Sequence, residues 1–74
     1  MTKLPRISGS ECVKALTNAG FYKKHQHGSH IVLRREDPFA QLVVPDHREV
    51  DCGTLRAILR QANLSVDELV DLLL

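Results

Sequence analysis

The first apolar pattern in the chain has the three- and four-residue spacing of a helix. It predicts a helix over residues 9–19. The apolar positions of this segment are Cys12, Ala15, Leu16 and Ala19. Ser8 and Glu11 have the spacing of a capping box, which satisfies backbone N–H groups at a helix start, and Gly20 provides a stop. The boundaries of this helix are therefore marked at both ends.

After Gly20 the pattern of apolar and polar residues changes from that of a helix to that of β-strands. Three short segments are predicted as strands: residues 21–26 (FYKKHQ), 30–36 (HIVLRRE) and 41–45 (QLVVP). The tripeptide His27-Gly28-Ser29 separates the first two, and an Asp37-Pro38 turn precedes the third. Because both connections are short, the three strands are predicted to form an antiparallel meander.

A helical period returns in the last third of the chain. Asp51 can cap a second helix that ends near Asn63. Its apolar stripe is Leu55, Ile58, Leu59 and Ala62. Ser65 and Glu68 repeat the capping-box spacing and start a last helix over residues 66–74. The predicted fold class is α+β, in the order α-β-β-β-α with an added terminal helix, and helices packed on one face of the sheet leave the other face open.

Length and composition indicate a single domain over residues 1–74 with an aliphatic core, since 43% of the residues are hydrophobic and only three are aromatic. Cys12 and Cys52 lie forty residues apart and form no CxxC motif, so we expect two buried, reduced thiols. No apolar run is long enough to span a bilayer, and the N-terminus lacks the apolar region of a signal peptide. We expect a soluble cytoplasmic protein without membrane association.

Charge is distributed unevenly along the chain. Residues 1–35 carry seven Lys or Arg against one acid, a balance of +6, whereas residues 36–74 carry three against eight, a balance of −5. This asymmetry favours one surface for a polyanion, although solvated surface charge is the plain alternative.

Strand parity makes His30 one candidate for acid–base chemistry. If His30 begins the second strand, Ile31 and Leu33 face the helices, and His30 and Arg34 lie on the open face. An imidazole has an unperturbed pKa near 6.5 and exchanges protons at cellular pH, and RNA offers a 2′-OH beside every phosphate. Residues that are candidates to hold phosphates are Lys23, Lys24, Gly28, Ser29, Arg34 and Arg35.

Two other chemistries remain as alternatives at this point. The run H-x-H-x-x-H offers three imidazoles to a zinc ion, with His25 and His27 on one strand face. Ser29 as a nucleophile is disfavoured, because adjacent residues of a strand diverge and His30 would point away from it. The simplest alternative is that the histidines are surface residues with no role.

Several motifs in one order resemble the HicA (YcfA-like) toxin family. The resemblance is carried by LPRISGSECVKALTNAGF at the start, GSH at 28–30, VPDH at 44–47, GTLRAILRQANLS at 53–65 and the DEL tail. HicA toxins are mRNA interferases of HicA–HicB toxin–antitoxin pairs with a fold similar to the double-stranded RNA-binding domain. The resemblance thus implies the same α-β-β-β-α order that the apolar pattern predicts.

The resemblance also implies residue roles and partners. His30, the histidine of GSH, would be the catalytic residue of an endoribonuclease that needs no metal or other cofactor, with Gly28 and Ser29 as motif positions. His47 of VPDH matches a family histidine that we interpret as a structural or hydrogen-bonding residue rather than a second catalyst. His25 stands where many relatives have an arginine, which predicts a weaker phosphate grip or a different RNA preference. A HicB-type antitoxin is the implied protein partner, and direct DNA binding is not expected because the chain has no helix-turn-helix signature.

Two rival functions fit the same sequence. One is a non-catalytic RNA-binding module that recognises A-form shape through its basic residues. The other is a degenerate toxin that only binds its antitoxin. Replacement of His30 separates these hypotheses, because only the ribonuclease depends on that imidazole for activity.

Overall fold

The computed structural model describes residues 3–74 and has one helix, three antiparallel strands and two further helices. The elements are α1 (Gly9–Asn18), β1 (Tyr22–His27), β2 (His30–Glu36), β3 (Phe39–Pro45), α2 (Cys52–Ala62) and α3 (Val66–Leu73). This confirms the predicted α+β class and its order. Residues 1 and 2 of the predicted domain lie outside the described residues.

Both predicted capping boxes form. The hydroxyl of Ser8 accepts a hydrogen bond from the backbone N–H of Glu11 at 3.1 Å, and the Glu11 carboxylate accepts one from the Ser8 N–H at 2.9 Å. Ser65 and Glu68 repeat the arrangement at the start of α3, at 3.1 and 2.8 Å. Each box satisfies two N–H groups that a helix start leaves without an intrahelical acceptor.

The second helix has a carboxylate at its start and a left-handed residue at its end. Asp51 accepts hydrogen bonds from the hydroxyl and the backbone N–H of Thr54, at 2.6 and 3.3 Å, and these bonds lower the pKa of the Asp51 carboxyl. Asn63 adopts φ 59°, a conformation that asparagine tolerates better than most residues, and it ends α2 at the predicted position.

The sheet has the order β1-β2-β3 and is antiparallel throughout. His27 pairs with His30 across the first hairpin, and Glu36 pairs with Phe39 across the second. The register of β1 shifts between Lys23 and His25, so Lys24 is an extra residue in a bulge. β3 begins two residues before its predicted start, because the Asp37-Pro38 turn is short enough for pairing to resume at once.

The core lies between the sheet and the helices. α1 and α2 pack against β3, and α3 packs against α1. Alternate residues of β2 and β3 point into this core, as do the apolar stripes of the helices; the innermost side chains include Leu16, Leu33, Leu42, Val44, Leu55, Leu59 and Leu69. Within residues 3–74 all three helices lie on one side of the sheet, so the opposite side of the sheet is accessible.

We call this accessible side the open face. By the strand register it consists of Tyr22, His25, His27, His30, Val32, Arg34, Glu36, Phe39, Gln41, Val43 and Pro45. Val32 is nevertheless buried, because His25 and Val43 stand on either side of it in the same cross-strand row.

The expectation of two buried thiols is wrong for one cysteine. Cys12 is fully buried in the core, whereas Cys52 is exposed. Cys52 is the first residue of α2, directly after the cap Asp51, and the buried stripe of the helix begins only at Leu55. Over the described residues no helix has both the length and the apolarity to cross a bilayer.

Candidate active site

The GSH motif forms a tight hairpin turn and the start of β2. Gly28 adopts φ 56° and is the first of two turn residues between His27 and His30. A positive φ at this position alone is typical of a type II′ turn, where glycine avoids the strain that a side chain would bring. A Cβ placed on Gly28 would meet nothing within 4 Å among the described residues. The backbone of the turn is therefore open to a ligand.

Three histidines share the open face at this end of the sheet. His27 stands directly opposite His30, and His25 stands in the next row opposite Val32. All three histidines are exposed. The rings of His25 and His27 meet edge to face, with centroids 5.0 Å apart and an interplanar angle of 81°. The end of the open face is thus occupied by imidazoles.

The VPDH segment lies beside the same hairpin. Pro45 pairs with His30, and the N–H of Asp46 donates to the Ser29 carbonyl at 2.6 Å. The N–H of Gly9 donates to the His47 carbonyl at 2.8 Å, which attaches the segment to the start of α1. The three family-like motifs of residues 8–11, 28–30 and 44–47 are therefore joined by backbone contacts, with the side chain of His47 exposed.

Gly9 is required by the close approach of this segment. A Cβ on Gly9 would lie 2.2 Å from the Pro45 carbonyl oxygen and 2.9 Å from the Asp46 Cα. Both contacts are with backbone, so a side chain could be accommodated only if the segment moved. The glycine of the sequence SGSE thus has a packing role that the sequence pattern alone did not reveal.

Arg34 lies at the other end of the open face. Its Nε is 3.2 Å from Oε1 of Glu36, an ion-pair distance, and its guanidinium carbon is 5.1 Å from the ring centroid of Phe39. The Nε atom has no hydrogen-bond partner within residues 3–74, so the contact with Glu36 is one of charge. The Tyr22 hydroxyl donates a hydrogen bond to the same carboxylate, which raises the pKa of Tyr22.

The strand separates Arg34 from His30. Four residues along a strand span about 13 Å, and the Arg34 guanidinium is turned towards Glu36 and Phe39, away from His30. Among the predicted basic residues, Arg34 is the one that the register places on the same face as His30, with the bulge residue Lys24 at the outer edge of β1.

Lys23 and Arg35 are on the helix side of the sheet. Lys23 pairs with Leu33, and its ammonium donates to the Gln26 side chain at 3.0 Å. Arg35 donates to the carbonyls of Pro38 and Ala62, at 3.0 and 3.3 Å, and its guanidinium carbon is 4.6 Å from the ring centroid of Phe21. The structure therefore does not bring these two cations to His30.

Sequence reasoning missed the pairing of His27 with His30. In the structure His27 and His30 lie opposite each other, because a two-residue hairpin places its flanking residues in a directly opposed pair. Within the described part of the chain, no group of three or more His, Cys, Asp or Glu side chains is arranged to hold a metal ion.

The fold and the site define a small α+β protein with a histidine-bearing open sheet face. A family model described as the HicA toxin of bacterial toxin–antitoxin systems matches residues 9–64. The chain belongs to this family, which implies a toxin of a toxin–antitoxin system and an antitoxin as its partner. Searches of curated proteins and of solved structures found no match.

Proposed function

We propose that this toxin is an endoribonuclease that cleaves mRNA without a metal ion, with His30 as the catalytic base. The observation that carries the proposal is the position of His30, which is exposed at the head of β2 beside a turn with open space around Gly28. Its place in the GSH motif of a HicA-family chain supports the same role.

The proposed chemistry uses the nucleophile that RNA carries. His30 removes the proton from a 2′-OH, the 2′-oxygen attacks the adjacent phosphorus, and the bond to the 5′-oxygen breaks. The products are a 2′,3′-cyclic phosphate and a 5′-OH. No activated water is required in this step, so a metal ion has no necessary part in it. A general base contributes about 10²- to 10⁴-fold, which predicts a slow ribonuclease.

RNA contacts are proposed along the open face and at its hairpin end. We propose that the open backbone at Gly28 admits a phosphate beside His30, that Ser29 contacts the RNA from the turn, and that Arg34, about 13 Å along the strand, binds a phosphate farther along the RNA. Lys24 at the bulge adds positive charge at the edge. Lys23 and Arg35 have partners on the helix side, so the proposal does not depend on them.

The far end of the open face offers surfaces for bases. Phe39 is 62% exposed and Tyr22 is 44% exposed. Unpaired bases stack on such rings in many RNA-binding proteins. A single-stranded segment could therefore be held by stacking at one end of the face while its phosphate reaches His30 at the other.

The antitoxin partner is proposed to be of the HicB type and to cover the open face. This face combines exposed apolar side chains, such as Val43 at 46% exposure, with the imidazoles and Arg34. A partner that binds there would block RNA without changing the fold. Direct DNA binding is not proposed for this chain.

The test is cleavage of RNA in excess EDTA by the parent and by His30→Ala. We expect the parent to cleave and the variant to lose about 10²-fold or more of the rate. His25→Ala is the matched control, since it removes an exposed imidazole from the next row of the same face. Circular dichroism and thermal unfolding check that each variant is folded.

Other results would favour a rival function. Binding of RNA by parent and variant alike, with cleavage by neither, indicates a non-catalytic RNA-binding module. A tight antitoxin complex without RNA binding or growth arrest indicates a degenerate toxin. Equal cleavage by both proteins points to a contaminating nuclease and contradicts the role of His30.

A further inference from the structure

His27 faces His30 across the first hairpin. Directly opposed residues in an antiparallel pair have Cβ atoms about 4.5–5.5 Å apart, on the same side of the sheet. Both imidazoles are exposed, and the turn between them leaves open space at Gly28. Two flexible side chains at this separation can contact a single phosphodiester from opposite sides.

The hairpin that carries the two histidines is held in place by hydrogen bonds. Gln26 donates from its side-chain amide to the Gly28 carbonyl at 2.9 Å, and the Asp46 N–H donates to the Ser29 carbonyl at 2.6 Å. The ring of His25 also contacts the ring of His27 edge to face. The backbone positions of His27 and His30 relative to each other are therefore set by the fold.

The cleavage step needs an acid as well as a base. When the 2′-oxygen attacks, the 5′-oxygen leaves as an alkoxide unless it receives a proton, and an alkoxide is a poor leaving group. Arg34 is about 13 Å along the strand, and a guanidinium does not release its proton at cellular pH. An imidazolium does so readily, and the strand register places His27 nearest to His30.

We propose that His27 is the general acid of the reaction, an assignment that rests on the proposed ribonuclease function. His30, neutral at the start, takes the proton of the 2′-OH as the new bond to phosphorus forms. His27, protonated at the start, gives its proton to the 5′-oxygen as the old bond breaks. One proton is taken and one is given, and exchange with water restores both imidazoles.

A substrate whose leaving group needs no proton separates the acid from other roles. The scissile linkage is first mapped on natural RNA, and the same RNA is then made with sulfur in place of the 5′-oxygen at that linkage. A thiolate leaves without protonation. We expect His27→Ala to slow cleavage of the natural linkage about 10²-fold or more and to cleave the sulfur linkage within about tenfold of the parent.

Companion variants make the result specific. His27→Gln, which keeps a polar side chain without an acidic proton, should behave as His27→Ala does. His30→Ala should lose activity on both linkages because the base is still needed. His47→Ala, at an exposed histidine outside the sheet, should cleave the natural linkage within about tenfold of the parent, since it is not assigned the proton.

The inference is overturned if His27→Ala cleaves natural RNA as fast as the parent, or slows both linkages equally. It is also overturned if sulfur rescues His47→Ala or His30→Ala instead, which would assign the acid to that residue. Failure of the proposed function gives different results. If the folded parent cuts neither linkage, or if His30→Ala cuts both linkages as fast as the parent, the proposed ribonuclease function fails. His27 then has no reaction step to assist.

Discussion

The two cysteines show how much the environment of a single residue controls its chemistry. Cys12 is fully buried on the inner side of α1, and burial raises the pKa of its thiol to about 11. Cys52 is exposed at the first position of α2. Thiolates rather than thiols react with alkylating agents, so the two side chains should differ in both access and reactivity.

Alkylation of the native protein tests this difference. With iodoacetamide at pH 8, we expect one label per chain, on Cys52, and a second label on Cys12 only after unfolding in denaturant. Peptide mass spectrometry identifies the labelled site. Rapid labelling of Cys12 in the native protein would show that the inner side of α1 is not packed as described.

At the scale of elements, the start of α1 and the segment after β3 depend on each other. Alanine is normally favoured over glycine in a helix by about 0.5–1 kcal/mol. Gly9 is the first residue of α1, but a Cβ there would lie 2.2 Å from the Pro45 carbonyl oxygen. Packing and helix propensity therefore act in opposite directions at this position.

Gly9→Ala should accordingly destabilise the protein, by about 1–3 kcal/mol, because the clash is with backbone. Gly53→Ala is the matched control: its Cβ would make an ordinary contact at 3.4 Å with the Asp51 carboxylate, so we expect no loss of stability and a gain of up to about 1 kcal/mol. Urea unfolding measures both variants. Equal effects at the two glycines would contradict the described contact.

The elements themselves were largely predictable from sequence, and their irregularities were not. The capping pairs and the left-handed Asn63 can be recognised from a few neighbouring residues of the sequence. The structure confirms the helices that begin or end at these positions. The bulge at Lys24 and the tight contact at Gly9 depend on which segments meet in space. Of the candidate site, strand parity predicted the placement of Ile31 and Leu33 in the core, whereas the partners of Arg35 required the tertiary structure.

At the scale of the whole molecule, two adjacent arginines of β2, Arg34 and Arg35, lie on opposite sides of the sheet. Arg35 packs on the helix side, where it bonds to two carbonyls and lies over Phe21. Arg34 lies on the open face, where its side chain is 29% exposed next to Glu36. Neighbouring residues of a strand point to opposite faces, so Arg35 packs against the fold, and we propose that Arg34 contacts RNA.

Alanine substitutions should separate these two tasks. We expect Arg35→Ala to lower the free energy of unfolding by about 1–3 kcal/mol with little change in RNA affinity at temperatures where it is folded. Arg34→Ala should weaken RNA binding and reduce the salt dependence of the RNA affinity by the amount expected for about one phosphate contact. Its effect on the free energy of unfolding should be smaller than that of Arg35→Ala. Loss of RNA affinity in Arg35→Ala but not in Arg34→Ala would contradict the proposal, because it would place the RNA-binding surface on the helix side of the sheet.

The central claim of this account is that His30 activates the 2′-OH of the RNA itself. The most direct measurement is identification of the ends produced by the purified parent protein in EDTA, by mass spectrometry of a cleaved oligonucleotide. The account predicts a 2′,3′-cyclic phosphate and a 5′-OH, and no cleavage once the 2′-OH at the scissile position is replaced by hydrogen. Ends carrying a 3′-OH and a 5′-phosphate would contradict it, because they require water as the nucleophile.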